Sequence, residues 1–364
     1  MAKRVFIAAT GQHCGKTTIS LSLLHLAAKS GMRIGFMKPF GPKIAVFEGR
    51  DVDMDAKLVA KVFGMGDQIE QMSPVVLHKG DTQRILEGII EPERLLERIG
   101  KAFEILDTWC DFLVIEGAGH SGVGSVAGVS NARIAKELDA PVLMVTGAAL
   151  GSTIDDVSLN LALFREERAE VKILMPNKII PDKREKTLLY LKTAFKSTGI
   201  SVLGGYDYSD VLAHPTLLTV SRLLELKLHS SEEQVSRIVH GVQLGAASTQ
   251  RVVDLLQTST LLVVTSSRDE LLVMLSTLYH MPEYFDKIAG LVITGEAPVS
   301  NITQRIIDDC GIPYLRCPAR TTAEIFLKLK NFVSKIYAED EEKIRLVQDL
   351  AETGMPFEKI YDHL

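Results

Sequence analysis

A lysine and two threonines follow a glycine near the start of the chain, in the segment Thr10-Gly11-Gln12-His13-Cys14-Gly15-Lys16-Thr17-Thr18. A lysine ammonium neutralises phosphate oxygens, and a threonine hydroxyl next to it is a ligand for Mg²⁺. Backbone N–H groups at a helix start lack intrahelical partners and carry the positive end of the helix dipole. The segment therefore predicts a P-loop, with Lys16 on the β- and γ-phosphates and Thr17 on the metal.

The segments on either side supply the strand and the helix that a P-loop requires. The apolar run Val5-Phe6-Ile7-Ala8-Ala9 predicts a strand, and residues 19–29 predict a helix. The usual spacing places its first glycine at the position of Thr10, whereas here the glycine is Gly11. A strand–turn–helix that contains Gly-Lys-Thr by coincidence is the alternative. We favour the phosphate loop, because strand and helix both stand where the chemistry needs them.

Further apolar runs, separated by helical patterns, predict more strands of the same sheet. Lys38, Glu116 and Asn177 stand at or just beyond three of these strand ends, where ligands gather in parallel sheets, so we expect them to share one site with Lys16. Fully apolar strands alternating with helices predict an α/β fold, a parallel sheet with helices on both faces. The predicted strands are 4–9, 33–40, 111–117, 140–146 and 171–177, and the helical patterns include 84–106, 130–138 and 153–167.

Composition narrows the classes of function. A length of 364 residues suggests two domains, and a hydrophobic content of 46% is ample for packed cores. The net charge of −5 argues against nucleic acid as a partner. We find no signal-peptide pattern and no apolar run long enough to span a bilayer. We therefore expect a cytoplasmic protein without a membrane partner.

A second β/α pattern follows a loop-like region and a Leu-rich segment at 209–235. We predict domains at 1–220 and 221–336, followed by a C-terminal helical segment at 337–364. About 100 residues are enough for an independent small α/β domain. The predicted strands of the second domain are 237–239, 260–265, 288–294 and 313–316, and the predicted helices are 248–256, 268–280, 300–310 and 321–336.

Several motifs in order give residues 3–220 a resemblance to the dethiobiotin synthetase-like branch of P-loop proteins. They are the variant P-loop beginning at Thr10, Lys38-Pro39, Asp55-Ala56, and Glu116-Gly117-Ala118-Gly119. This branch includes the amidases of cobalamin synthesis and the N-terminal region of long phosphotransacetylases. The resemblance implies that Lys38 contacts phosphate or substrate. It also implies that Asp55 and Glu116 hold Mg²⁺ together with Thr17.

The same resemblance implies which nucleotide is bound and which branch of the family this chain is closest to. Asn177 stands where the family places an asparagine that contacts adenine, and Asn177-Lys178-Ile179-Ile180 lacks the aspartate of guanine readers. ATP with Mg²⁺ is therefore the implied cofactor pair. Residues 120–126 and Asn131-Ala132-Arg133 are closer to the phosphotransacetylase type than to dethiobiotin synthetase. For the metal, Asp51 and Asp53 remain alternatives to Asp55.

The second domain resembles the DRTGG domain, a small α/β module that neighbours this P-loop domain in long phosphotransacetylases. The resemblance is carried by Gly245, residues 265–269, the run 291–295 that ends in Thr294-Gly295, and Gly311-Ile312-Pro313. The acetyl-transfer domain of those enzymes has no counterpart in the printed sequence. We therefore expect no acetyl-transfer activity.

Three functions from different classes fit these residues. The first is an enzyme that uses ATP to activate a small carboxylate, with Lys16 and Lys38 as catalytic residues that neutralise charge on the transferring phosphoryl group. The second is a regulatory protein that senses a nucleotide. The third is a weak ATPase that switches as a homodimer, closing on the nucleotide.

Overall fold

The computed structural model describes residues 2–364, which divide into two compact units. Unit 1 contains the residues up to Tyr208 together with Ile336–Leu364, and unit 2 contains Ser209–Lys335. The first boundary thus falls about a dozen residues before the expected position at 220. The C-terminal helical segment, which we predicted separately from the two domains, is part of unit 1.

Unit 1 is built around the P-loop strand and helix. Its first segment contains β1 (Lys3–Ala9), β2 (Ile34–Met37), β3 (Phe40–Gly41), β4 (Ile44–Phe47), β5 (Arg50–Asp53), β6 (Val75–Val76), β7 (Phe112–Glu116), β8 (Val142–Thr146), β9 (Val171–Pro176) and β10 (Ser201–Val202). Its helices are α1 (Lys16–Lys29), α2 (Met54–Phe63), α3 (Ile69–Met72), α4 (Asp81–Leu86), α5 (Pro92–Trp109), α6 (Asn131–Glu137), α7 (Leu150–Glu166) and α8 (Arg184–Ala194).

Six of these strands form one parallel sheet in the order β10-β9-β8-β1-β7-β2. The predicted parallel sheet is confirmed. Every residue of β2, β7 and β8 is buried, as expected for strands covered on both faces. Because β1 lies between β7 and β8, the loop that follows it opens between the ends of those two strands. The order of the sheet thus places the P-loop beside Glu116.

Two local details of unit 1 differ from the predicted pattern. The single helix expected over 84–106 is two helices, α4 and α5. Gly88 between them has a φ of 74°, and Pro92, which lacks the N–H that a helix interior needs, is the first residue of α5. Strands β4 and β5 form an antiparallel hairpin that the sequence analysis missed. It leads directly into α2, with Asp53 as the N-cap residue.

Unit 2 has a smaller sheet in the order β11-β15-β14-β13-β12, in which only β11 is antiparallel to its neighbour. Its strands are β11 (Leu228–His229), β12 (Gly241–Leu244), β13 (Thr260–Thr265), β14 (Ile288–Thr294) and β15 (Tyr314–Cys317). Its helices are α9 (Asp210–Ala213), α10 (Leu217–Leu224), α11 (Thr249–Asp254), α12 (Asp269–Tyr279), α13 (Pro282–Phe285), α14 (Asn301–Cys310) and α15 (Thr322–Lys330).

One predicted strand of unit 2 is wrong. Residues 237–239 do not form a strand; Ile238 makes a single bridge to Thr216, and the ladder with β13 begins only at Gly241. Both stretches are short and partly apolar, so local propensity cannot decide which one pairs with the sheet. Helix α15 also ends at Lys330, six residues before the predicted end.

The C-terminal segment forms α16 (Glu341–Gly354) and α17 (Phe357–Asp362), which pack on unit 1. Glu352 of α16 accepts hydrogen bonds from His25 (2.8 Å), and its other oxygen lies 2.6 Å from the Lys29 ammonium. The Phe357 ring of α17 lies edge-on to Phe112, with ring centroids 5.7 Å apart. Among residues 2–364, no helix combines the length and apolar character needed to cross a membrane.

Candidate functional site

The start of α1 is left open by its own sequence. Gly15 is the N-cap residue with a φ of 101°, a conformation that only glycine adopts without strain. No side chain caps the helix, and its first turn contains no acidic residue. The first N–H groups of α1 and the positive end of its dipole therefore remain available to an anion.

Lys16 bends back over the loop. Its ammonium donates hydrogen bonds to the carbonyl oxygens of Gly119 (2.9 Å) and Gly11 (3.3 Å). Burial lowers the pKa of Lys16; the nearby Lys38 lowers it further, while Glu116 opposes the change. Because both hydrogen bonds go to neutral carbonyls, this buried ammonium has a favourable interaction to gain from a phosphate group.

Glu116 accepts hydrogen bonds from several polar side chains at the predicted site. It is 1% exposed, and it accepts hydrogen bonds from the hydroxyls of Thr17 (3.1 Å) and Ser20 (2.7 Å). The Lys38 ammonium donates to Glu116 (3.0 Å) and to Asp55 (2.7 Å). The structure thus brings Thr17, Lys38, Asp55 and Glu116 together. It adds Ser20, which nothing but its position in a predicted helix marked beforehand.

The charge of Lys38 is fixed by these carboxylates. Burial of the ammonium would lower its pKa, but attraction to Asp55 and Glu116, with a smaller contribution from Asp53, outweighs that effect and raises the pKa. Lys38 is therefore an ammonium ion at neutral pH. It places a permanent positive charge between two carboxylates at the mouth of the P-loop.

The oxygen atoms around Lys38 belong to the ligand types that magnesium prefers. Mg²⁺ takes oxygen ligands from one or two carboxylates and completes its shell with water and phosphate oxygens. The Thr17 hydroxyl and the carboxylates of Asp55 and Glu116 are such donors. Among residues 2–364 no group of three or more His, Cys, Asp or Glu side chains could hold a metal by itself. A site here would therefore need oxygens from the nucleotide.

Of the two alternatives for the metal, Asp53 lies closer to this cluster. Its Oδ1 accepts a hydrogen bond from the Asp55 N–H (2.8 Å), whereas its Oδ2 is buried without a hydrogen-bond partner. Burial, reinforced by repulsion from Asp55, raises the pKa of Asp53 to about 6. Asp51 instead lies 2.9 Å from His78 Nε2.

Asn131 fixes the loop after β7. Its side chain donates to the carbonyl oxygens of Ala118 and His120 (both 2.6 Å) and accepts from the Ala118 N–H (3.1 Å). This loop presents the Gly119 carbonyl to Lys16. A Cβ on Gly117 would lie 2.7 Å from the Asn131 side-chain oxygen, so this turn requires glycine. From the sequence alone, Asn131 was recognisable only as part of the motif Asn131-Ala132-Arg133.

Asn177 is buried behind the P-loop. Its amide nitrogen donates to the Cys14 carbonyl (3.0 Å), and its oxygen accepts from the Tyr206 N–H (2.9 Å). Asn177 therefore does lie at the site with the P-loop. Its contact with adenine stays a prediction.

The remaining residues of the predicted loop surround the start of α1. The Thr10 hydroxyl lies 3.1 Å from that of Thr146, and the Thr10 carbonyl accepts from Asn160 (3.2 Å). Gln12 and His13 are exposed, and His13 has a φ of 60°. Thr18 is half-buried in the first turn of the helix. Thr146 and Asn160 support the loop without standing in any motif.

A cavity of about 490 Å³ lies just beyond β8 and β9, at the same edge of the sheet as the P-loop. Leu150 at the start of α7 and the side chains of Lys178, Lys183 and Thr187 line it. Burial lowers the pKa of Lys178. Two lysines make the cavity suited to an anionic molecule.

The fold and the site together define a P-loop nucleotide-binding protein: a central parallel strand, a glycine turn, and a helix that begins with Lys-Thr beside a buried carboxylate. The chain belongs to the dethiobiotin synthetase-like P-loop family. The family model described as an AAA domain matches residues 3–216, and the DRTGG domain matches residues 220–326.

Relatives of two kinds resemble this chain. The phosphate acetyltransferase of Pseudomonas putida is 26% identical over 366 residues, covering 94% of this chain and 49% of the relative; that of Nitrosomonas europaea is 25% identical over 303 residues, covering 80% and 41%. The ATP-dependent dethiobiotin synthetase of Thermodesulfovibrio yellowstonii is 27% identical over 191 residues, covering 50% and 78%. The chain thus spans about half the length of the phosphate acetyltransferases that it matches.

Proposed function

We propose that this chain binds ATP together with Mg²⁺ at the P-loop of unit 1. The observation that carries the proposal is the pair of buried ammonium groups, Lys16 and Lys38, beside an uncapped helix start. Thr17, Asp55 and Glu116 would hold the magnesium ion, which would neutralise charge on the phosphate oxygens. The dethiobiotin synthetase relative, named as ATP-dependent, supports ATP as the nucleotide.

Nucleotide binding is tested by calorimetry with Mg²⁺ and ATP. We expect saturable binding by the whole chain, and its loss in Lys16→Ala, because the variant removes the ammonium that contacts the phosphates. Lys136→Ala is the matched control, since Lys136 is an exposed lysine on α6. Equal affinity in the Lys16 variant and the control would refute this site.

The use of the nucleotide that the site supports best is transfer of the γ-phosphoryl group to a small carboxylate. A carboxylate oxygen would bond to the phosphorus as the bond to ADP breaks, and Lys16 and Lys38 would neutralise the charge on the moving group. The cavity beside the loop, with Lys178 and Lys183, supports a carboxylate as the acceptor. ADP release that depends on an added small carboxylate, screened as a panel of chain lengths, is the direct measurement.

Nucleotide sensing is the second candidate, because the chain contains a DRTGG domain after its P-loop domain. Binding of ATP with negligible turnover across the whole carboxylate panel would favour sensing. A homodimer that closes on ATP would appear as a doubling of mass in light scattering when the nucleotide is added. An unchanged mass would refute the hypothesis of a switch that dimerises on ATP.

A further inference from the structure

We propose that unit 2 contains a binding site of its own for the phosphoryl group of a small molecule, formed by the side chains of Thr265, Ser266 and Arg316. The site lies at the carboxyl ends of β13 and β14, two inner strands of the smaller sheet. Ligands gather at this edge in parallel sheets. The inference goes beyond the proposed function and does not depend on it, because the P-loop belongs to unit 1.

The side chain of Ser266 is a buried hydrogen-bonding group without a partner. Ser266 is 2% exposed, and its hydroxyl oxygen forms no hydrogen bond with any of residues 2–364. Such a group is costly to bury, and a bound ion is one reason that proteins keep it. The Thr294 hydroxyl, at the end of the neighbouring strand, is by contrast paired with Thr322 at 2.7 Å. The Ser266 hydroxyl is thus a donor available to a ligand.

Gly295 leaves space beside this hydroxyl. It follows β14 directly and has a φ of 94°, so it turns the chain at the edge of the sheet. A Cβ on Gly295 would lie 3.0 Å from Thr265 Oγ1 and 3.1 Å from Ser266 Oγ. Gly295 and Thr265 are half-buried, whereas the neighbouring Ser267 and Glu296 are exposed. The two hydroxyls therefore meet beside a bare Cα, just below the surface of unit 2.

Arg316 supplies the positive charge of the site. It lies in β15, and its guanidinium donates to the carbonyl oxygens of Ile293 (2.9 Å), Gly295 (2.6 Å) and Ala297 (2.8 Å). These bonds hold the guanidinium against the turn at Gly295. They use three of its five N–H groups, so two remain for a ligand.

The charge of Arg316 is also uncompensated. Arg268, which follows the two hydroxyl residues, is paired with Glu270, whereas Arg316 forms no ion pair with any of residues 2–364. Guanidinium groups bind carboxylate and phosphate oxygens through paired hydrogen bonds. Hydroxyls from β13 and a guanidinium from β15 approach from two directions. A phosphoryl group, which presents three acceptor oxygens, matches that arrangement better than a planar carboxylate with two.

The variants remove one donor at a time. Ser266→Ala removes the unpaired hydroxyl, and Thr265→Val removes the second hydroxyl with little change of shape. Ser276→Ala is the matched control, because Ser276 is another buried serine of unit 2 whose hydroxyl has no partner, but it lies in the second half of α12. All three are made in the Lys16→Ala chain, so that the P-loop lysine does not contribute to phosphate binding.

Calorimetry of the whole chain with inorganic phosphate, AMP and acetate makes the test. We expect saturable binding of phosphate or AMP to the Lys16→Ala chain. This affinity should fall about tenfold in Ser266→Ala and in Thr265→Val, because each loses a hydrogen bond to a charged group, and it should be unchanged in Ser276→Ala. Thermal unfolding serves as the check on structure. Ser266→Ala and Ser276→Ala should unfold no earlier than the parent chain, because each removes an unpaired buried hydroxyl.

The outcomes separate this site from the P-loop. Tighter binding of AMP than of phosphate would support a phosphorylated organic molecule as the ligand, and tighter or equal binding of phosphate would support the free ion. Equal affinities in Ser266→Ala and Ser276→Ala would overturn the inference, as would no binding of either ligand to the Lys16→Ala chain. Acetate that binds as tightly as phosphate would overturn the phosphoryl assignment. The proposed function is judged separately, by ATP binding to the chain with Lys16 intact.

Discussion

Replacing Lys38 by methionine should destabilise unit 1 strongly. The change keeps most of the side-chain volume but removes the charge between Asp55 and Glu116, whose oxygens lie 2.7 and 3.0 Å from the ammonium. Glu116 is 1% exposed and would become a buried carboxylate without its counter-ion. Removing one partner from a buried ion pair costs about 3–5 kcal/mol, and we expect a loss of that size in the free energy of unfolding at pH 7.

The assay is urea unfolding followed by tryptophan fluorescence. The chain has one tryptophan, Trp109, which lies in α5 and so reports on unit 1. Lys61→Met is the matched control. Lys61 pairs with Glu339 at 3.1 Å, but both side chains are about two-fifths exposed, so its loss should cost less than about 1 kcal/mol.

Two further measurements sharpen the interpretation. Adding Glu116→Gln to Lys38→Met should recover part of the loss, because the uncompensated charge is then gone. Because the pKa of Lys38 is raised, its contribution is complete below its ordinary pKa of 10.5 and should not vary from pH 7 to pH 9. A loss below about 1 kcal/mol in Lys38→Met, or a further loss on adding Glu116→Gln, would refute the reasoning.

Three other changes test separate parts of the chain. A chromogenic disulfide reagent should react quickly with one thiol, because Cys14 alone among the cysteines of residues 2–364 is partly exposed, and burial raises the pKa of Cys110 to about 12. Cys14→Ser should abolish this fast phase. In the urea assay, Phe357→Ala should lower the free energy of unfolding by about 3–5 kcal/mol, because the ring is buried. Glu352→Gln should lower it by less than about 1 kcal/mol, because its ion pair is exposed. Equal losses would contradict the docking of α17 through apolar contacts. Asp111 has a pKa of about 2, lowered chiefly by its hydrogen bond from Arg33, so its stabilising effect is present above its ordinary value of 3.8 and is lost as pH falls. Arg33→Gln should therefore lower stability by a constant amount above about pH 4 and by progressively less towards pH 2; a pH-independent difference would contradict this.

The parts of the fold that could be predicted are those whose determinants are local. The P-loop needs a short apolar strand, a glycine turn and a Lys-Thr helix start in one continuous segment, and the sequence displays all three. One rule was enough to predict that Lys38 and Glu116 lie at the same edge of the sheet: the carboxyl ends of parallel strands meet there. The hairpin of β4 and β5 was missed, although the positive φ angles of Glu48 and Gly49 show a turn that Gly49 indicates in the sequence.

The supporting residues of the site could not be predicted, because their roles depend on contacts between distant segments. Asn160 reaches the Thr10 carbonyl across 150 positions, and Tyr206 reaches Ser22 across 184. Neither belongs to a motif, and a lone asparagine on a helix or a lone tyrosine in a loop has no distinguishing pattern. The ion pairs of Lys38 could not be predicted from the sequence for the same reason. A lysine at a strand end gives no indication that it is buried between two carboxylates.

The return of α16 and α17 to unit 1 has a consequence for how the protein is made. On the ribosome, the sheet of the first unit emerges long before the helices that cover Phe112 and contact α1. Until translation reaches residues 336–364, that surface stays exposed and can bind chaperones or pack against the wrong partner. A recombinant fragment cut at residue 216, where the match to the AAA domain ends, would keep the P-loop yet carry the same bare surface permanently.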